Sequence, residues 1–278
     1  MDERLVHIKI EPPHSWQPID LKEIWHHRGL FVNLVWRDIR VLYINTRLGL
    51  LWAVIEPLAI TLILTIVLGA YTRLPLQQSE IPFNLVVLSG MMGWMYFSKS
   101  MIGACNSVLA NFSLYSKVYL PRIILPAVPV AVGLVDLAVL LLVFTGLSLF
   151  QGVVPTPRWL LVPVFVLLLT WFSLGLGLWL SALNVPYRDI GRVLPLVLQI
   201  GLYASPVIYP FSIVKPPLSW FAMLNPMVGI IGFGRWMFFD QIPFPSVELT
   251  VTVIASTFLL ISGAFVFRRI EDQFVDIG

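Results

Sequence analysis

Val35-Trp-Arg-Asp-Ile-Arg-Val-Leu-Tyr-Ile-Asn-Thr-Arg-Leu-Gly49 runs without interruption into Leu50-Leu-Trp-Ala-Val-Ile-Glu-Pro-Leu-Ala-Ile-Thr-Leu-Ile-Leu-Thr-Ile-Val-Leu-Gly69. Arg37, Arg40 and Arg47 stop just before about twenty apolar residues, which at about 1.5 Å per residue is the length an α-helix needs to cross the hydrocarbon core of a bilayer. Lys and Arg are retained on the cytoplasmic side of spanning helices. The chain is therefore expected to enter the membrane here, from the cytoplasm.

Composition agrees with that reading. Of 278 residues, 58% are hydrophobic and 12% charged, with a mean hydropathy of +0.86, whereas soluble domains carry about 25% charged residues. The class is a polytopic membrane protein. The single cysteine, Cys105, excludes an internal disulfide framework and a cysteine-built zinc or iron-sulfur site, and is read as a small buried residue. The net charge of +3 acquires meaning only by position, and nothing points to a nucleic-acid partner. The first thirty residues are charged throughout and lack an apolar core, so no cleavable signal peptide is expected and the first span directs insertion.

Outward from the junction, six apolar stretches appear at about 50–71, 83–105, 123–150, 159–183, 193–209 and 247–267. Six crossings put both termini on one side. Under that topology thirteen Lys and Arg fall on the side of the termini and four on the other, with Lys99 inside a span. The positive-inside rule then makes the termini cytoplasmic. Residues 1–49 form a cytoplasmic N-terminal segment and 50–278 the transmembrane domain. The stretch 206–239 is also apolar, but Pro210, Pro216, Pro217 and Asn225-Pro226 cut it into pieces too short to span. It is read as a re-entrant helical hairpin, over 210–239, between spans five and six: either an exit gate or a plug on the ends of the helices.

The segment before the first span is helical without crossing. Asp20 and Glu23 form a capping-box pattern. Phe31, Leu34, Val35, Ile39 and Leu42 share one arc at 100° per residue, with Asn33, Arg37, Arg40 and Arg47 opposite, the signature of an amphipathic helix lying in the membrane interface. Asp38 falls inside the apolar arc, where a carboxylate facing acyl chains would be costly. Part of the arc is thus expected to pack on protein, with a donor for Asp38.

No phosphate-loop, HExxH, CxxC or GxSxG motif occurs anywhere. His26-His27 is read as a solvated or headgroup-contacting pair. Three ionisable residues fall within spans, where burying charge is expensive and marks candidates for function. Lys99 is long enough to snorkel toward the cytoplasmic surface. Glu56, followed by Pro57, either lines a polar path or pairs within the bundle. Asp136, near the middle of span three, either makes a buried structural bond or serves transport. Aromatic residues crowd span ends, most of them as interfacial belt, while a subset could stack against sugar rings. The candidates for a substrate path are Glu56, Tyr71, Trp94, Tyr203 and Tyr209. The loop 106–122 ends in two cations among large apolar residues, Leu-Tyr-Ser-Lys-Val-Tyr-Leu-Pro-Arg, and looks like a docking element for a cytosolic partner.

Trp36-Arg-Asp-Ile-Arg40, Arg47-Leu-Gly-Leu-Leu-Trp-Ala-Val-Ile-Glu-Pro57, Lys117-Val118-Tyr119-Leu120-Pro121-Arg122, Asn184-Val-Pro-Tyr-Arg-Asp189, Ser205-Pro-Val-Ile-Tyr-Pro210 and Asn225-Pro226 follow one another in an order that resembles the membrane subunit of type-2 ATP-binding-cassette exporters. The likeness is greatest to the permeases of O-antigen and capsular polysaccharide export and spans nearly the whole chain. Glu56 departs from that pattern, in which Gln or an apolar residue precedes the proline. The resemblance implies a homodimer of six-helix subunits with its pore at the subunit interface. It also implies two copies of a separate ATPase, which would hold the ATP and Mg2+. Arg37, Arg40 and the run Lys117, Val118, Tyr119, Leu120, Pro121 and Arg122 would contact those ATPases, spans one and five would line the path, and the hairpin would gate its exit. The cargo it implies is an undecaprenyl-diphosphate-linked polysaccharide crossing a bacterial inner membrane from cytoplasm to periplasm.

The same superfamily includes capsule, teichoic-acid and drug exporters, which are alternatives. A proton-coupled carrier would need midplane relays, and only Asp136 is so placed. The charge distribution yields a direct test of topology. A green fluorescent protein fused after Gly278 should fluoresce and alkaline phosphatase fused there should be inactive; the opposite pair of results overturns the orientation.

Overall fold

The computed structural model describes residues 21–44, 47–71, 81–115 and 120–271, and all of the regular structure among them is helical. Short α1 (Leu21–His26) and α2 (Arg28–Ile39) lead into a π-helical turn, Arg40–Ile44. Then come α3 (Leu51–Tyr71), α4 (Phe83–Ala110), the single turn α5 (Phe112–Tyr115), α6 (Ile124–Phe150), a 3-10 turn at Pro157–Leu161 continuing as α7 (Val162–Asn184), and α8 (Asp189–Ala204). The chain closes with α9 (Leu218–Met223), α10 (Pro226–Phe238) and α11 (Ser246–Glu271). Asp20, of the capping-box pattern, lies outside the described residues.

Four helices among the described residues are long and apolar enough to cross a membrane: Phe83–Ala110, Ile124–Phe150, Pro157–Asn184 and Ser246–Glu271. Leu51–Val67 is apolar but shorter, and the expected fifth span, 193–209, is the 16-residue α8, displaced toward the N-terminus. Both limits of α8 have a local cause. Buried Asn184 accepts the backbone N–H of Gly191 at 2.8 Å and starts the helix early. Pro206 cannot continue a helix and holds Ser205 in the extended conformation, at ψ 149°, so the helix stops there. In contrast, α4 runs five residues beyond its expected end at Cys105. Asn106 and Ser107 return their side chains to the carbonyls of Ile102 and Ala104, so polarity there does not end the helix.

Helix α4 is the centre of the bundle, with α3, α6, α7, α8 and α10 against it. Leu85, Val86, Val87, Met92, Met101, Ala104 and Cys105 on it are fully buried. Helices α4, α7 and α11 run one way and α6 and α8 the other, so the molecule has two ends. The loop end gathers the end of α4, the start of α6, the ends of α7 and α11, and α2. There Leu34 of α2 is buried with Leu125, Val128 and Phe267, and Phe31, Val35 and Ile39 pack beside it. Most of the apolar arc foreseen on this helix thus faces protein.

The other end holds α9 and α10. Ser205, just after α8, accepts Asn225 Nδ2 at 2.8 Å at the start of α10, and Trp159 Nε1 donates to the Phe238 carbonyl at its end. Both ends of α10 therefore lie at the same end of the bundle. Its Met227, Ile230, Phe233 and Phe238 belong to the main core.

Apolar surface gains little by leaving lipid for protein, so close backbone packing through small residues holds membrane helices together. Gly175 and Gly263 serve this at the contact of α7 with α11. A Cβ on Gly175 would stand 2.6 Å from the Leu260 amide nitrogen, and one on Gly263 would stand 2.6 Å from the Gly175 carbonyl oxygen. Gly175→Leu should separate these helices and cost about 3 kcal/mol, the upper range for overpacking. Thermal unfolding in detergent should show it, and an unchanged midpoint would mean that the contact is not tight.

Candidate functional site

The three ionisable residues of the spans meet. Lys99 Nζ of α4 is 3.1 Å from Glu56 Oε2 of α3 and 3.4 Å from Asp136 Oδ2 of α6. The ammonium thus lies between two carboxylates on different helices, with the Lys99 side chain 42% exposed. Tyr43, in the π-helical turn, donates its hydroxyl to Asp136 Oδ1 at 2.5 Å. Burial and the bond to Asp136 push the Tyr43 phenol above its ordinary range, so it stays protonated and remains a donor. Asp136 is nearly enclosed, its side chain 12% exposed, while that of Glu56 is 46% exposed. Four elements that are separate in the sequence thereby meet in one cluster. Tyr43 was not foreseen, although it sits four residues beyond Ile39, one helical turn along the arc that packs on the bundle.

Beside the cluster is a cavity of about 650 Å³ between α2, the π-helical turn, α3, α4 and α6. Lys99, Asp136, Tyr43, Arg37, Asn106 and Asn111 supply its polar wall, and Trp52, Val128 and Pro129 lie on the apolar side. Arg37 pairs with Asp38 at 2.8 Å and reaches Asn111 Oδ1 at 3.0 Å, where α4 ends. The donor expected for Asp38 is thus its own neighbour, and the tie to the bundle runs through Arg37. Arg40 stacks its guanidinium on Trp36, 5.3 Å from the ring centre.

The remaining path candidates are scattered. Trp94 is buried, 5.5 Å from the Phe97 ring, and Gly201 on α8 leaves it room. In this conformation it offers no free face to a sugar. Tyr203 is exposed on α8, and Tyr209 donates its hydroxyl to the Tyr203 carbonyl at 3.2 Å. Glu56 belongs to the ion cluster, and the side chain of Tyr71 lies outside the described residues.

In the docking loop, Lys117, Val118 and Tyr119 also lie outside the described residues, and Leu120 is buried at the loop end. Arg122 is turned inward. Its guanidinium donates to the Glu271 carbonyl at 2.5 Å and its backbone N–H to Glu271 Oε1 at 3.3 Å. Arg268 adds a bond to Glu271 Oε2 at 2.9 Å and a pair with Glu23 at 3.5 Å. The loop, α11 and α1 are therefore one ionic assembly.

At the other end Arg235 is buried and donates to the carbonyls of Tyr209, Val207 and Val86 at 2.9, 2.6 and 3.4 Å. It clamps α10 to the turn after α8 and to the start of α4. By sequence it was counted as a loop charge, although a lone arginine in an apolar run already signals a buried role.

Comparisons with known proteins cover most of this helical bundle. The ABC-2 type transporter family model matches residues 29–239, from α2 through the end of α10. The chain belongs to that family. It is 28% identical over 259 residues to the O-antigen export system permease protein RfbA of Myxococcus xanthus, covering 92% of this chain and 98% of that one. A protein of the same name from Klebsiella pneumoniae is 24% identical over 89% of this chain and 94% of its own. The polysialic acid transport protein KpsM of Escherichia coli is 25% identical over 85% of this chain and 91% of its own. The ion cluster lies within the matched region of this ABC-2 permease, while α11 follows it.

Removing Asp136 and removing Glu56 should differ. Asp136→Ala leaves Lys99 with one exposed partner and takes away the carboxylate that Tyr43 bonds, and breaking a buried pair costs about 3 kcal/mol or more. Glu56→Ala leaves Lys99 paired and should cost less than about 1 kcal/mol. Thermal unfolding of the two variants in detergent checks this, and equal losses would mean that Asp136 is no more deeply embedded than Glu56.

Proposed function

We propose that this chain is the membrane-spanning permease of an ATP-driven exporter that moves a lipid-linked polysaccharide of the O-antigen type from the cytoplasm to the periplasm. One observation carries the reading. The likeness to the Myxococcus xanthus O-antigen export permease runs over nearly the full length of both chains, so the whole architecture is matched and not an isolated motif. As a permease it works with an ATPase, taken to be a separate subunit that supplies ATP hydrolysis with its Mg2+. The lipid carrier is taken to be undecaprenyl diphosphate.

In this reading the unit is a dimer of two copies with two ATPases, α3 and α8 complete the six crossings, and both termini are cytoplasmic. The exposed apolar rows Leu62, Ile63 and Ile66 on α3 and Val193, Leu196, Val197 and Ile200 on α8 support a surface covered by lipid or by the second copy. Both ends of α10 meet one end of the bundle, which supports a re-entrant hairpin at the periplasmic exit. The ionic assembly of Arg122, Glu271, Arg268 and Glu23 supports a rigid seat for the loop 117–122, on which an ATPase would push. A capsular polysaccharide is the second reading, favoured by the similarity to the polysialic acid transport protein.

The deciding experiment is reconstitution in lipid vesicles. The chain alone should hydrolyse no ATP; with its ATPase it should move lipid-linked O-antigen across the bilayer only when ATP is present. Lys117→Ala with Arg122→Ala should lower ATPase capture by 10-fold or more. Hydrolysis by the lone chain, or movement of a capsular polymer in preference to O-antigen, would overturn the reading.

A further inference from the structure

Lys99 holds two carboxylates that differ in burial and in the helix that carries them, and this asymmetry separates what is fixed from what is free to move. Asp136 belongs to α6, which packs along α4, and is nearly enclosed. Glu56 belongs to α3 and is half exposed. Among the described residues, the Glu56–Lys99 pair is the one polar side-chain contact joining α3 to another helix. The hydroxyls of Thr61 and Thr65 are buried without a partner. The rest of the α3 contact is apolar, through Leu58, Ile60 and Leu64.

In water such apolar packing would dominate. In a bilayer it does not, because lipid tails solvate these side chains about as well as the bundle does. The seating of α3 against α4 therefore depends heavily on one ion pair. Parting that pair strands no charge in the interior. Lys99 keeps Asp136, and Glu56 is half exposed at the bundle surface even when paired. Pro57 adds a point of compliance, since it lacks the N–H that would bond the Ala53 carbonyl, so the first turns of α3 are weakly tied to the remainder of the helix.

We propose that Lys99 is a positioning residue for export, and that its pair with Glu56 is a releasable latch: closed, it seats α3 against α4; open, it lets α3 leave the bundle while Lys99 stays neutralised by Asp136. This rests on the reading of the chain as an exporter whose α3 borders the path. Asp136 and Tyr43 form the fixed half of the device and Glu56 the half that travels.

The test uses the full chain assembled with its ATPase in lipid nanodiscs, comparing Glu56→Gln, Lys99→Met and Lys99→Arg with the native protein. Hydrogen–deuterium exchange should quicken 10-fold or more in residues 51–57 of Glu56→Gln and Lys99→Met, with α4, α6 and α11 within twofold of native in Glu56→Gln, which leaves the Lys99–Asp136 pair intact. Polysaccharide exported per ATP hydrolysed should fall at least fivefold in both, and Lys99→Arg should restore both measures. Unchanged exchange in α3, or quickening spread equally over α4 and α6, overturns the latch, since the first denies its hold on α3 and the second makes it a general brace. If the native complex hydrolyses ATP and exports no polysaccharide, the exporter reading fails, and the exchange measurements still decide the latch.

Discussion

An ammonium placed sixteen residues into α4, half exposed on an otherwise enclosed helix, is met by a carboxylate from each of two other helices. Charge in hydrocarbon is tolerated only when paired, and this requirement brings Glu56 from α3 and Asp136 from α6 to the same nitrogen. Asp136 in turn needs a second donor and takes it from Tyr43, so the interfacial segment is drawn onto the bundle. One charge thus ties α3, α6 and, through Asp136, the turn after α2 to α4, beside the apolar contacts of the same helices.

The same logic operates at both ends with different chemistry. At the loop end, Arg122 and Arg268 converge on Glu271, which ties α11 to the start of α6. At the other end, Arg235 has three carbonyl acceptors and holds α10 where the backbone of 205–210 leaves helical geometry. Between these anchors the helices are joined by small residues and shape, as at Gly175 and Gly263, which lipid does not replace. Polar ties thus set the ends and the middle, and close backbone packing sets the spacing.

Particular residues show where sequence reasoning reached and where it stopped. The apolar runs located the long helices because a bilayer imposes length and composition directly. Asp38 in the apolar arc correctly pointed to protein beneath α2, but its partner proved to be Arg37, since an adjacent guanidinium is nearer than any group on the bundle. The fifth stretch was placed several residues late because its start depends on Asn184, a capping contact from another helix that hydropathy does not register. Trp94 looked like a candidate for sugar stacking because aromatic residues at span ends serve either lipid or ligand; its burial against α8 is a property of the packed bundle alone.

By itself the sequence determined that this is an all-helical membrane protein with long apolar helices, a polar N-terminal segment leaning on protein, and a broken apolar stretch before the last helix. It determined the permease family too, because ordered blocks of residues survive in a linear comparison. Only the tertiary structure decided that Lys99, Glu56 and Asp136 are a single cluster, that Tyr43 completes it, and that Arg122 faces Glu271. These pairings join residues between 37 and 149 positions apart, or about 43 for Lys99 with Glu56. Helical periodicity relates residues only three or four apart along one element, so which charges meet across helices depends on how the bundle packs.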